Sequence, residues 1–209
     1  EVIEFYSDCQ FDYGISVDHV ILDYNEAWDK SAKAVPKAVK SRRQLTIKLA
    51  EEFWRLTRED VPFKAIGVAQ GWSPESYALS VKELQQIGYR YIALGGMVPL
   101  KSADILKCLS AASKVRKPDT KFHLLGVTRL EHIKDFANYG VYSFDSTSPL
   151  RQAFKDDKDN YWTADGAYSA VRVAQVEGNA KLQKGISSGA VQQEVARKLE
   201  KQALQALKD

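Results

Sequence analysis

Short apolar segments alternate with helix-like segments along the chain up to about residue 150. The apolar segments are residues 19–22, 63–69, 90–94, 121–126 and 141–144. This alternating order predicts parallel strands joined by right-handed helical crossovers. Five such units fit either a doubly wound sheet or part of a (β/α)8 barrel.

The segments between the predicted strands carry helix signals. The predicted helix starts are Pro36, Ser73, Ser102 and Thr128, and the predicted ends are Arg58, Gly88 and Gly140. Ser73 is a typical cap residue and is followed by Pro74, while Thr128 and Glu131 have the spacing of a capping box. These boundaries leave each predicted strand between two helices.

A complete (β/α)8 barrel usually needs about 250 residues, and this chain has 209. We therefore predict an α/β fold, a (β/α)8 TIM barrel that lacks its first strands in this chain. After about residue 159 the pattern becomes helical, and the last helix is expected over 190–207. The predicted domains are the barrel part at 1–160 and a C-terminal helical segment at 161–209 that packs on it.

Composition disfavours several classes of protein. No apolar run approaches the ~18–20 residues of a membrane span, and the mixed first residues do not resemble a signal peptide. Cys9 and Cys108 are the two cysteines, which are too few for a disulfide framework or a Cys-rich zinc site. We expect a cytoplasmic protein that has no cofactor, no metal site and no membrane partner.

Basic residues are concentrated in one stretch, although the net charge is only +3. The stretch contains Lys30, Lys33, Lys37, Lys40, Arg42, Arg43 and Lys48, with no acidic residue between them. It is either a solvated helix face or a binding surface for the phosphates of a nucleic acid. The residue pattern leaves both interpretations open.

Polar residues and glycines follow the predicted strands. They are Asp23, Gln70, Gly95, Gly96, Gly126 and Asp145. Active sites of α/β barrels form at this end of the sheet, so these residues are expected to meet there. Each also has a structural explanation: Asp145 and Asp23 could cap turns, Gln70 could be a satisfied loop amide, and the glycines could form a tight turn. His123 is interpreted as a packed histidine within a strand.

Four short sequences resemble, in order, motifs of the tRNA-guanine transglycosylase family. They are GVAQG at 67–71, ALGGM at 93–97, HLLGV at 123–127 and FDSTSPLR at 144–151. Each is weak alone, but four in this order are specific. Residues 11–19 and 144–154 look most similar to the branch that modifies DNA, which inserts a 7-deazaguanine, typically 7-cyano-7-deazaguanine, in place of guanine.

The resemblance implies roles for single residues. Asp145 matches the aspartate that attacks C1′ of the nucleoside, and Asp23 matches the carboxylate that accepts hydrogen bonds from the base. Gln70 matches the amide that reads the base edge. Gly96, next to Gly95, matches the glycine whose N–H meets O6 of the base, with Met97 beside the pocket.

The resemblance also implies that Arg151 contacts the nucleic-acid backbone, and we assign Lys30, Arg42 and Arg43 to contacts with the phosphates.

The chain departs from the family pattern in two respects. The cysteine-rich zinc site of bacterial tRNA-acting members cannot be built here, which disfavours tRNA. The family's Asp-Ser-Gly general acid/base motif is also absent from this chain, so it lies upstream or the chain is not competent alone.

We therefore predict a pentosyltransferase that exchanges guanine in double-stranded DNA for a 7-deazaguanine through a covalent aspartyl intermediate. The alternatives are a tRNA-guanine transglycosylase and a noncatalytic family subunit that binds RNA or a protein partner. A homodimer is also open.

Overall fold

The computed structural model describes residues 1–31, 33–59, 61–127, 129–155, 160–163, 165–169, 173 and 175–207. The chain divides into two compact units, Glu1–Ser148 and Pro149–Asp209. Thr128, the predicted start of a helix, lies outside the described residues.

A five-stranded sheet forms the centre of the first unit. Its strands are β1 (Tyr13–Ile15), β2 (Lys64–Ala69), β3 (Tyr91–Leu94), β4 (Lys121–Leu124) and β5 (Val141–Phe144). All neighbours are parallel and lie in chain order. A doubly wound sheet reverses its strand order, so that alternative is excluded for these five strands. The predicted α/β fold with a parallel sheet is confirmed, whereas closure into a barrel is not tested.

Helices connect and flank the strands. They are α1 (Val2–Asp8), α2 (Lys37–Leu56), α3 (Pro74–Ile87), α4 (Ser102–Val115) and α5 (Ile133–Asn138), with short 3-10 helices at Glu26–Lys30 and Leu130–His132. Helix α3 begins as predicted, since the Ser73 side chain accepts a hydrogen bond from the N–H of Ser76 at 3.2 Å. It ends at Gly88, whose φ of +134° favours glycine.

The main hydrophobic core lies between the sheet and a single layer of helices. Helix α2 contacts α3, α3 contacts α4, and α4 contacts α5, so these helices form one layer. Side chains such as Leu84, Ile92, Leu109 and Phe122 are fully buried there. Cys108 lies in the same core, and burial raises the pKa of its thiol to about 12, whereas Cys9 is exposed.

The other face of the sheet carries a smaller apolar cluster. Ile66, Val68 and Ala93 are buried there, and Ile15 and Tyr91 pack against them. Side chains alternate between the faces of a strand, so β2 contributes to both clusters. The sheet therefore has one face under helices and a second, smaller apolar face.

The predicted first strand at residues 19–22 is wrong. The strand that pairs with β2 is Tyr13–Ile15, and residues 16–25 have no regular secondary structure. The N–H groups of His19 and Ile21 donate to side-chain oxygens instead of to a neighbouring strand, for example His19 to Thr46 Oγ1 at 2.9 Å. These bonds satisfy the backbone without a sheet.

The second unit combines helices with a hairpin. It contains most of α6 (Ser148–Lys155), the antiparallel strands β6 (Tyr161–Thr163) and β7 (Gly166–Tyr168), then α7 (Ala180–Ser187) and α8 (Gln193–Ala206). Helix α8 confirms the expected last helix, although the hairpin was not expected. None of the described helices is long and apolar enough to cross a membrane.

Candidate active site at the carboxyl edge of the sheet

The residues that follow β2 to β5 lie along one edge of the sheet. Backbone hydrogen bonds connect them in order: Gly95 N–H to Ala69, Leu125 N–H to Leu94, and Asp145 N–H to Leu124, at 3.0, 3.2 and 3.3 Å. The parallel sheet thus brings together the strand ends that the sequence singled out, as expected. Asp23 is different, because no strand directly precedes it.

Asp145 is the first residue after β5, and its side chain is 61% exposed. Its Oδ1 accepts a hydrogen bond from the N–H of Gly126 at 2.8 Å and lies 3.1 Å from Nε2 of His123. Gly126 has a φ of +71°, where other residues are strained. The motif at 123–127 therefore supplies two contacts to Asp145, which leaves an oriented carboxylate open to solvent.

His123 has a larger part in the site than the sequence indicated. It is packed within β4 as predicted, with its side chain 13% exposed. Its Nδ1 also lies 2.6 Å from the hydroxyl oxygen of Ser143, which in turn hydrogen-bonds the hydroxyl of Tyr91. Desolvation raises the pKa of Tyr91, so this phenol stays protonated. A row of polar side chains thus leads from the sheet interior to Asp145.

Gln70 directly follows β2 and is almost fully buried, at 1% exposure. Its Oε1 accepts the N–H of Ile21 at 3.1 Å, and its Nε2 donates to Oδ2 of Asp18 at 2.5 Å. The amide thus holds the irregular segment 16–25 against the sheet edge. Asp18 was missed by the sequence analysis, although it lies within the motif at 11–19.

Gly95 and Gly96 leave space for the Gln70 side chain. A Cβ on Gly95 would lie 2.3 Å from Gln70 Nε2, and one on Gly96 would lie 2.7 Å from its Oε1 and 2.3 Å from the carbonyl oxygen of Ile21. Gly96 also has a φ of +75°. The two glycines are therefore required by close approach as well as by the turn.

Arg43 does not fit its predicted contact with phosphates. It is buried, at 7% exposure, and pairs with Glu83 at 2.6 Å. Its Nε donates to the hydroxyl of Ser80 at 2.8 Å, and that hydroxyl donates to the backbone carbonyl of Gln70. Burying an arginine is costly unless it is paired. Arg43 therefore stays in its contacts with Glu83 and Ser80 and is not free to contact a ligand.

The other predicted residues lie in different settings. Asp23 is exposed, two residues after Ile21, which contacts Gln70. Met97, which directly follows Gly96, is fully buried in the main core. Lys30 and Arg42 are exposed in the first unit, and Arg151 is exposed in the second. Among the residues that the structure describes, no cluster of His, Cys, Asp and Glu could hold a metal ion.

Residues 5–192 match the sequence model of a protein family described as queuine tRNA-ribosyltransferase. The chain belongs to this family. The match covers most of both units, and it confirms the family that the four motifs indicated.

Three relatives give the family assignment more detail. The chain is 46% identical over 208 residues to a DNA-guanine transglycosylase of Salmonella montevideo. This match covers 99% of the chain and 50% of the relative. It is 31% identical over 122 residues to a queuine tRNA-ribosyltransferase of Marinobacter nauticus, covering 57% of the chain and 32% of the relative. A queuine tRNA-ribosyltransferase of Chromohalobacter salexigens is 30% identical over 145 residues, 68% of the chain and 37% of its own length. The chain thus spans about half the length of the curated relatives it matches.

Proposed function

We propose that the protein containing this chain is a guanine transglycosylase acting on double-stranded DNA, where it replaces guanine by a 7-deazaguanine, typically 7-cyano-7-deazaguanine. The observation that carries the proposal is the exposed Asp145 carboxylate, held through one oxygen at the carboxyl edge of a parallel sheet. The 46% identity to a relative named DNA-guanine transglycosylase supports the choice of reaction and polymer.

Asp145 is proposed as the covalent nucleophile. A carboxylate oxygen forms an ester bond to C1′ while the bond between C1′ and N9 of guanine breaks. The electron pair leaves with the base, which takes up a proton from water or from a group outside this chain. The incoming base then loses its N9 proton and displaces the carboxylate, so that two displacements retain the configuration at C1′.

The neighbouring strand ends are proposed to bind the base. A guanine-like base presents donors at N1 and N2 and an acceptor at O6, so it needs a carboxylate and an N–H opposite them. Asp23 is proposed as the carboxylate and the N–H of Gly96 as the donor to O6. Gln70 can read the base edge only if the base takes the place of Asp18 or Ile21, since its amide is buried against them.

The fold of the whole protein is proposed to be a (β/α)8 barrel in which residues 1–160 supply the later strands, followed by a C-terminal segment at 161–209 in which the β6–β7 hairpin precedes helices α7 and α8. Lys30, Arg42 and Arg151 are proposed to contact phosphates, because all three are exposed. The target nucleotide must be flipped out of the duplex to reach Asp145.

A second candidate is a tRNA-guanine transglycosylase, which the names of the Marinobacter and Chromohalobacter relatives favour. The full-length protein should be incubated with a labelled 7-deazaguanine and equal amounts of duplex DNA and tRNA at one salt concentration. We expect label in the DNA. Label in tRNA alone would assign the second candidate, and a folded protein that labels neither would contradict both activities.

A further inference from the structure

Three side chains behind Asp145 form a continuous hydrogen-bonded row across adjacent strands. Tyr91 is on β3, His123 on β4 and Ser143 on β5, and the register places His123 directly opposite Ser143. The contacts run from the Tyr91 hydroxyl to Ser143 Oγ, from Ser143 Oγ to His123 Nδ1 at 2.6 Å, and from His123 Nε2 to Asp145 Oδ1 at 3.1 Å. The row ends at the proposed nucleophile.

The chemistry of these groups gives the row a direction. A carboxylate oxygen accepts, so the His123 nitrogen beside Asp145 Oδ1, Nε2, is the one that donates and carries a proton. In a neutral ring the other nitrogen, Nδ1, accepts from the Ser143 hydroxyl, whose oxygen then accepts from the hydroxyl of Tyr91. A neutral imidazole that accepts at Nδ1 carries its proton on Nε2, which is the nitrogen beside the carboxylate.

We propose that His123 is a positioning residue that holds Oδ1 of Asp145 through its Nε2–H, together with the N–H of Gly126, and thereby leaves Oδ2 as the attacking oxygen. In the described part of the chain both hydrogen bonds to this carboxylate end on Oδ1. Two donors on one oxygen fix the rotation of the carboxylate and aim the other oxygen outward. The inference rests on the proposed function, since it assigns a role in that reaction.

The kinetic test uses the full-length protein and two replacements of one side chain. His123→Phe keeps a ring of similar size but removes both nitrogens, and His123→Gln restores an amide donor near the position of Nε2. We expect His123→Phe to lower kcat about 100-fold, the cost of a misplaced reacting group, with KM for the base within a few fold. His123→Gln should recover a large part of kcat.

A matched control is available on the surface. His132 contacts Asp135 at the same distance, 3.1 Å, outside the site, so His132→Phe should leave kcat unchanged. If His123→Phe keeps kcat within about threefold of wild type, the positioning role is overturned, because the expected effect of misplacement is far larger.

A second measurement does not depend on exchange activity. The chain has three histidines, so ring ¹⁵N spectra can be assigned by substitution. We expect His123 in the Nε2–H tautomer and expect its signals to move in Asp145→Asn and in Ser143→Ala, while those of His132 stay. The Nδ1–H tautomer, or signals indifferent to both substitutions, would overturn the inference. A wild-type protein with the expected spectra but no exchange would overturn the proposed function alone.

Discussion

Asp145 is exposed and yet held through one oxygen by Gly126 and His123. An aspartate that served only to keep the surface soluble would not need two such hydrogen bonds. At the scale of single residues, the proposed chemistry depends on this carboxylate more than on any other group of the site.

Asp145→Asn should abolish base exchange and the covalent adduct with nucleic acid, because an amide cannot form the glycosyl ester. The fold should be retained, since the replacement has the same shape and is exposed. Adduct formation on denaturing gels and the melting temperature measure the two effects. Asp135→Asn is the control for a general effect of charge, and exchange by Asp145→Asn near the wild-type rate would remove Asp145 from the role of nucleophile.

Asp23 and Asp18 are expected to behave differently when they are replaced. Asp23→Ala should weaken binding of the free base by about 2–5 kcal/mol, the cost of leaving buried donors unpaired, and should leave stability unchanged because Asp23 is exposed. Asp18→Ala should mainly lower the melting temperature, since it removes the partner of Gln70.

Calorimetric titration with the base and thermal melting separate these outcomes. A loss of base binding at unchanged stability in Asp18→Ala, with normal binding in Asp23→Ala, would move the base-binding carboxylate to Asp18.

The sequence was sufficient to place Asp145 and Gln70, because a residue directly after a strand of a parallel sheet must lie at its carboxyl edge. The role of His123 was not predictable in this way. Its partners, Ser143 and Asp145, are about twenty residues away, and the shift in register between β4 and β5 decides which side chains lie opposite each other.

At the scale of secondary-structure elements, the turn after β3 is shaped by the end of β2. Gly95→Ala would bring a Cβ to 2.3 Å from Gln70 Nε2, so the amide must move and lose its contacts with Asp18 and Ile21. We expect a loss of about 1–3 kcal/mol in the free energy of unfolding, typical of overpacking, measured by urea denaturation.

A double-mutant cycle tests whether the clash with Gln70 is the cause. In a Gln70→Ala background the side chain that meets the new Cβ is gone, so Gly95→Ala should cost much less there. An equal cost in both backgrounds would show that the turn itself, and not Gln70, requires glycine.

The wrong prediction of a strand at residues 19–22 is explained by the same contacts of Gln70. Apolar residues at 20–22 resemble a strand, but only Ile21 among them is buried. The side chain of Gln70, far along the chain, satisfies the N–H of Ile21. A pattern of local hydrophobicity cannot reveal a partner of that kind.

At the scale of the whole molecule, strand order was predictable and closure was not. Alternating strands and helices imply consecutive parallel neighbours, which the five-stranded sheet confirms. Closing a barrel requires more strands than the five parallel ones in the described part of the chain.

The basic surface gives a prediction that depends on two adjacent residues. Arg42→Ala should lower affinity for nucleic acid on all sequences alike, with a shallower salt dependence, because an exposed arginine contributes phosphate contacts. Arg43→Ala should instead lower the free energy of unfolding by about 2 kcal/mol, since it leaves Ser80 and Glu83 without their partner.

Filter binding over a salt series and urea denaturation distinguish the two variants. The charge change is the same in both, so each is the control for the other. A fully stable Arg43→Ala with weakened binding would contradict the assignment of Arg43 to the interior.

The two thiols lie at opposite extremes of accessibility, and the chain therefore carries its own probe of unfolding. Cys9 is exposed, whereas Cys108 is sealed in the main core with its proton retained. An alkylating reagent reacts with thiolate. Cys9 is therefore modified in the native protein, whereas Cys108 reacts only after the core has opened. The rate of the second modification then measures how often the layer of helices separates from the sheet.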